Sequence, residues 1–294
     1  MILSKNIVLI SSLLVHRYPA FSRDLTTILD HHNVSLSLID GTRDIWCRDY
    51  MPVRRKDGKY MLFNYDPSFL KPHWQQKQTP REDIIKMCEQ LELDFIDLKD
   101  IKLDGGNVVM SSDSVIMTDV VFSENEAKKD KQKQIKLIKK LSACFESEII
   151  IIPHQPGDIL AHADGLVRFL ENKTVLVNDF SSVTNNKFRE SKSFLNSLFG
   201  ALGSKGFNIV QVTYLPQEGR SRDGIPIATG IYINYLETEN VIFLPQFGEN
   251  LQDNDKEALK LFSNIFKEKG KLVASVKCTA LAKEGGVLNC VLWN

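Results

Sequence analysis

Apolar residues recur at helical spacing in five separate stretches of the chain. The clearest holds Ala258, Leu261, Phe262, Ile265 and Phe266 on one face with charged residues on the other, and Gly270 follows where a left-handed cap ends such a helix. The same spacing predicts helices through Phe21, Leu25, Ile28 and Leu29; through Ile84, Met87, Cys88 and Leu91 behind a Thr79-Pro80 start; through Ile135, Ile138, Leu141 and Phe145; and through Phe194, Leu195, Leu198 and Leu202. After each helix comes a short β-rich run, at 34–39, 95–98, 148–152, 209–212 and 272–276. A hairpin pattern follows each run, at 51–63, 106–117, 165–177 and 230–244, while the fifth begins at 286–292 and stops at Asn294 before a return strand can form.

The residue ahead of each hairpin falls at 49, 104, 164, 229 and 285, so one unit of helix, strand and hairpin repeats five times at a drifting period. The last unit lacks its final strand, and the chain opens on a spare apolar strand at 6–11. Pairing that strand with the fifth unit closes the array and removes the unpaired sheet edge of an open one. The expected fold is therefore an α/β propeller with fivefold pseudosymmetry; the alternative is a two-layer α/β sheet with coincidental spacing. No low-complexity stretch or linker interrupts the repeats, so 1–294 reads as a single domain.

Composition removes several function classes. Lysine plus arginine number 37 against 37 aspartate plus glutamate, so no general field for nucleic acid exists. The lysine-dense segment 128–140 places Ile135, Leu137, Ile138 and Leu141 on one helix face, with the lysines outside. The apolar run 7–14 is too short to span a membrane and reads as a buried strand. Cys47, Cys88, Cys144, Cys278 and Cys290 are odd in number and widely spaced, which fits a reducing, cytoplasmic compartment. The pattern leaves a homo-oligomer open.

In a closed ring, the starts of the hairpins converge on the axis. Those positions hold Asp49, Asp104, His162 with Asp164, and Cys290 after Gly285-Gly286. Three carboxylates, a histidine and a thiol are not what a structural core selects, since buried acids are costly unless paired. A thiolate is a strong nucleophile but a minority species at neutral pH, so it needs a cationic neighbour, supplied by His162 or by the substrate. Asp49 and Asp164 are then free to hold a planar cation, and two carboxylates suit the fork of a guanidinium. Trp46 offers that cation an aromatic face, or is simply core. Cys290 would attack the guanidinium carbon, with His162 serving as acid and then base, and Asp104 fixing its tautomer. This chemistry requires no metal or organic cofactor.

These motifs resemble those of the agmatine deiminase and bacterial peptidylarginine deiminase family, within the guanidino-group-modifying superfamily of fivefold α/β propellers. The resemblance rests on Trp46-x-Arg48-Asp49-x-x-Pro52, Asp104-Gly105-Gly106-Asn107, His162-x-Asp164-Gly165 with Arg168-Phe169, Tyr232-x-Asn234-Tyr235, and Gly285-Gly286 with Cys290. It implies a nucleophile at Cys290, acid–base work at His162, and guanidinium contacts from Asp49 and Asp164, with Trp46, Arg48, Gly105, Gly106 and Asn107 around them. The family usually carries Glu where Asp104 stands, Gly where Met51 stands, and His where Asn289 precedes the nucleophile. A small guanidine such as agmatine is the expected substrate, ahead of free or peptidyl arginine. An amidinotransferase keeping the same covalent intermediate and a non-catalytic binding module are the alternatives. Arg220 or Arg222, if turned to the site, would hold a carboxylate and favour arginine.

Overall fold

The chain's first strand, β1 (Ile7–Ser11), is almost wholly buried and pairs in parallel with β2 (Ser35–Ile39). A parallel pair needs a crossover, and helix Pro19–His31 supplies it, turning Phe21, Leu25 and Leu29 inward. The computed structural model describes residues 6–69, 78–182, 191–222 and 224–294.

Four further sheets repeat one topology. They are β3 (Val53–Arg54), β4 (Tyr60–Asn64) and β5 (Phe95–Lys102); β6 (Val109–Met110), β7 (Ser114–Thr118) and β8 (Glu148–Ile152); β9 (Val167–Glu171), β10 (Thr174–Asn178) and β11 (Asn208–Val212); and β12 (Leu236–Glu237), β13 (Val241–Gln246) and β14 (Leu272–Lys277). In each, the first strand runs antiparallel to the middle one, and the third runs parallel to it. The middle strands carry nearly continuous apolar runs because both their faces are covered. Helices Arg81–Gln90, Lys131–Phe145, Ser191–Ser204 and Gln252–Lys267 make the crossovers.

The sheet built on β1 gets its antiparallel member from the other end of the chain. Leu9 N donates to Trp293 O at 2.7 Å and Trp293 N to Leu9 O at 3.0 Å. Trp293 thus fills the place on β1 that β3, β6, β9 and β12 fill on their own middle strands. Its side chain is 1% exposed, its indole Nε1 donates to Pro52 O at 2.8 Å, and its ring lies 5.5 Å from that of Tyr60. The result is an α/β fold of five small sheets in a fivefold pseudosymmetric repeat, with the first sheet completed by this bridge.

Four local expectations need correction. The apolar run 7–14 is a strand only to Ser11, whose hydroxyl accepts from Leu13 N at 3.1 Å and starts helix Ser12–Arg17. Residues 230–234 form a turn, not a strand. Gly230 has φ +85°, an added Cβ would lie 1.9 Å from Leu215 O, and Tyr232 points away to donate to Asp255 Oδ1 at 2.8 Å. The segment Leu288–Val291 is a single helical turn, closed by Cys290 N donating to Val287 O at 3.2 Å. Ile135 is 55% exposed, because helix Lys131–Phe145 buries Leu141 and Phe145 at its C-terminal end and leaves its first turns in solvent. Among the described residues no helix is long and apolar enough to cross a membrane.

If Trp293 closes the ring, Trp293→Ala should lower the free energy of urea unfolding by about 3–5 kcal/mol, the usual cost of emptying a buried aromatic site. A loss below about 1 kcal/mol, the size of a surface substitution, would show that the closure carries no stability.

Candidate active site

Each first strand of a sheet is preceded by a turn, and these turns pack against one another. Cys47–Tyr50 touches both Leu288–Val291 and Gly105–Asn107, and Gly105–Asn107 touches Ala163–Gly165. Asp49 lies on the first of these turns, Asp104 caps Gly105–Asn107, His162 caps Ala163–Gly165, Asp164 lies within that turn, and Cys290 lies on Leu288–Val291. Asn234 occupies the corresponding turn of the fourth unit, two residues before β12.

His162 is 6% exposed and stands between two carboxylates. Its Nε2 is 3.0 Å from Asp104 Oδ2, and its Nδ1 is 3.6 Å from Asp49 Oδ1, which also accepts from Gly106 N at 3.1 Å. Burial opposes charge on the ring, but Asp49 and then Asp104 outweigh it, so the ring holds its proton well above the ordinary histidine range. Burial pushes the Asp49 carboxyl upward against the attraction of His162. The ring of Phe69 meets the imidazole edge-on at 6.4 Å.

The Cys290 thiol donates to Asn234 Oδ1 at 3.3 Å. Burial, followed by the nearby charges of Asp164 and Asp49, holds it well above the usual thiol range. Burial and the neighbouring carboxylates thus disfavour the thiolate. Asp164, 3% exposed, accepts from Asn289 Nδ2 at 2.6 Å.

Two glycines let main chain enter this cluster. A Cβ on Gly106 would lie 2.6 Å from both Asp49 Oδ1 and His162 Nδ1. One on Gly286 would lie 2.5 Å from the Trp46 ring and 3.1 Å from Cys290 Sγ. Gly105 instead permits contact between turns, since its Cβ would meet Arg48 O at 1.9 Å. Asn107 Oδ1 accepts from Thr118 N at 2.9 Å and Thr118 Oγ1 at 3.0 Å, fastening its turn to β7. Arg48 donates from Nε to Asn289 O at 3.2 Å and from Nη2 to Asn294 Oδ1 at 3.1 Å, so it braces the turn that carries Cys290 and lines neither of the two cavities that meet at the thiol.

Two cavities meet at the thiol, sharing Cys290, His162, Leu160, Gly285 and Gly286. The larger, about 840 Å³, runs past Asp164, Asn234, Asp158, Glu218 and Arg220. The smaller, about 120 Å³, is walled by Trp46, Asp49, Tyr65 and Phe69. Asp104 lines neither and stands behind the imidazole. Arg220 reaches the large cavity and donates to Gly224 O at 2.7 Å, whereas Arg222 lines neither. The sequence places Asn234 in the Tyr232-x-Asn234-Tyr235 motif but not in the candidate set, because Tyr232 and Asn234 alternate there as on the strand of a hairpin; the signal was its place in that motif.

A family model for Porphyromonas-type peptidyl-arginine deiminase matches residues 12–294. A relative from Mycoplasma mycoides described as an agmatine deiminase is 25% identical over 280 residues, covering 84% of this chain and 73% of its own length. The structure is similar to the agmatine deiminase of Enterococcus faecalis, at TM-score 0.74 and 15% identity over 99% of this chain and 94% of that one. It is likewise similar to an agmatine deiminase of C. jejuni with substrate bound, at TM-score 0.73 and 15% identity over 99% and 93%. Those two likenesses show the shared fold, and the family model covers nearly the whole chain: it belongs to the Porphyromonas-type peptidyl-arginine deiminase family, hydrolases acting on the C–N bonds of amidines.

Proposed function

We propose that the chain, acting as one catalytic domain over 1–294, hydrolyses a small free guanidine, with agmatine ahead of arginine and arginyl peptides. The observation that carries this reading is an imidazole held between two carboxylates, beside a thiol at the junction of two cavities. The large cavity favours a tail that ends in an amine. Its lining holds three carboxylates, Asp158, Asp164 and Glu218, and one guanidinium, Arg220. The free cysteines agree with action in a reducing, cytoplasmic setting.

In this scheme the guanidinium enters between Asp49 and Asp164, facing Trp46. Its charge offsets the acids that hold Cys290 neutral and so favours the thiolate. As the guanidinium enters, the thiol proton leaves to solvent; sulfur attacks the central carbon, and protonated His162 gives its own proton to the leaving nitrogen, which departs as ammonia. The carbon stays bonded to sulfur as a thiouronium. Water then gives one proton to the now neutral His162 and its oxygen to the carbon; as the C–S bond breaks, the proton of that hydroxyl passes to the departing sulfur, and agmatine has become N-carbamoylputrescine with thiol and imidazolium restored. Asp104 on Nε2 orients the ring throughout.

Purified protein mixed separately with agmatine, arginine and an arginyl peptide should release ammonia and a ureido product fastest from agmatine. In ¹⁸O-labelled water the label should enter that product, and Cys290→Ala should lose at least about a thousandfold in kcat. Turnover of none of the three, or unlabelled product, would defeat the reading. Because His162 keeps its proton into alkaline solution, kcat/KM should persist above neutral pH and fall only as the ring deprotonates. An alkaline limb near the ordinary histidine value of about 6.5 would contradict the acid role.

A further inference from the structure

Asp164 is fixed by a side chain that the scheme above leaves unused. Asn289 is 5% exposed and donates from Nδ2 to Asp164 Oδ2 at 2.6 Å. Its own main chain is held on both sides: its N–H donates to Asn234 O at 3.2 Å, and its carbonyl accepts from Arg48 Nε at 3.2 Å. Asn234 Nδ2 lies 3.5 Å from Asp164 O, and its Oδ1 accepts from the Cys290 thiol at 3.3 Å. The residue adjacent to Cys290 in sequence thereby joins the thiol's turn to a carboxylate on the cavity wall.

The chemical type of this donor matters. An amide that hydrogen-bonds one carboxylate oxygen fixes the group's rotation and satisfies part of its buried polarity, yet leaves its charge for a cation. An arginine or lysine there would make the same contact and cancel the charge.

We infer that Asn289 is a positioning residue for the guanidinium: by holding Asp164 Oδ2 it sets the rotation of the carboxylate that takes the cation and its place relative to Cys290 Sγ. The inference rests on the proposed role of Asp164 as a substrate contact. Loss of the amide leaves a buried carboxylate oxygen unpaired and the group free to turn, so guanidine binding weakens while the thiol and imidazole remain.

The test is calorimetric titration of agmatine, and of arginine, into Cys290→Ala protein with and without a second change at 289. Asn289→Leu in that background should weaken Kd by about ten- to a hundredfold, the range for one hydrogen bond to a charged group. Asn289→His, whose Nδ1 stands as many bonds from Cα as the amide nitrogen, should return Kd to within about threefold, following the geometry of a single placed donor. With Cys290 intact, the Leu variant should raise KM by the same factor and change kcat less. Circular dichroism and urea unfolding check the fold, and Asn289→Ser, too short to reach Asp164, replaces the Leu variant if that one does not fold.

Wild-type affinity in the Leu or Ser variant overturns the inference, as does a His variant no better than Leu. Binding without turnover in the unaltered chain sinks the hydrolytic reading and leaves the inference standing. Normal turnover with indifferent variants at 289 sinks the inference alone, and absence of guanidine binding overturns both.

Discussion

Two main-chain hydrogen bonds between Leu9 and Trp293 join the ends of the chain, and the position of the thiol depends on them. Cys290 lies three residues before Trp293, on a single helical turn with too few internal hydrogen bonds to hold itself. It is placed from outside. Trp293 anchors it to β1 and to Pro52, Arg48 reaches the carbonyl of Asn289, and Asn294 Nδ2 donates to Glu237 O at 2.9 Å. The first, fourth and fifth units are therefore fastened at one point, and the same closure that satisfies a sheet edge brings Asp49 and Cys290 to a common cavity.

The buried acids of this protein fall into two kinds, separated by what satisfies them. Asp255 accepts from Tyr232 Oη, Phe247 N and Gly248 N, and Asp44 accepts from Trp46 N, Thr79 N and Thr79 Oγ1. These fixed donors make them struts, although burial still pushes Asp44 up to about 6. Asp49 and Asp104 instead face a titratable ring, and the Asp164 carboxylate has an asparagine amide as its donor. Acids placed together with few permanent donors repel one another, and in the proposed scheme a guanidinium between them relieves that repulsion.

The long elements were legible because their periodicity spans several turns. The Ala258 to Phe266 face and the continuous runs of β4, β7, β10 and β13 each had one reading, and the missing final strand pointed to closure. What was not legible is short. A four-residue turn such as Leu288–Val291 has no period to detect, and in sequence it resembles the start of a strand. The fourth unit's first strand begins only at Leu236, so its turn, and Asn234 with it, was displaced from the apparent repeat. Arg48 and Asn107 stand in motifs beside Asp49 and Asp104, but proximity in sequence did not reveal that one braces the C-terminal turn and the other fastens β7.

The most direct test of the central claim is the mass of the protein caught in mid-reaction. Enzyme mixed with excess agmatine and quenched in acid within one turnover should carry an added mass equal to agmatine less ammonia, and fragmentation should locate it on Cys290. An adduct on another residue, or none while product accumulates, would contradict attack by this sulfur.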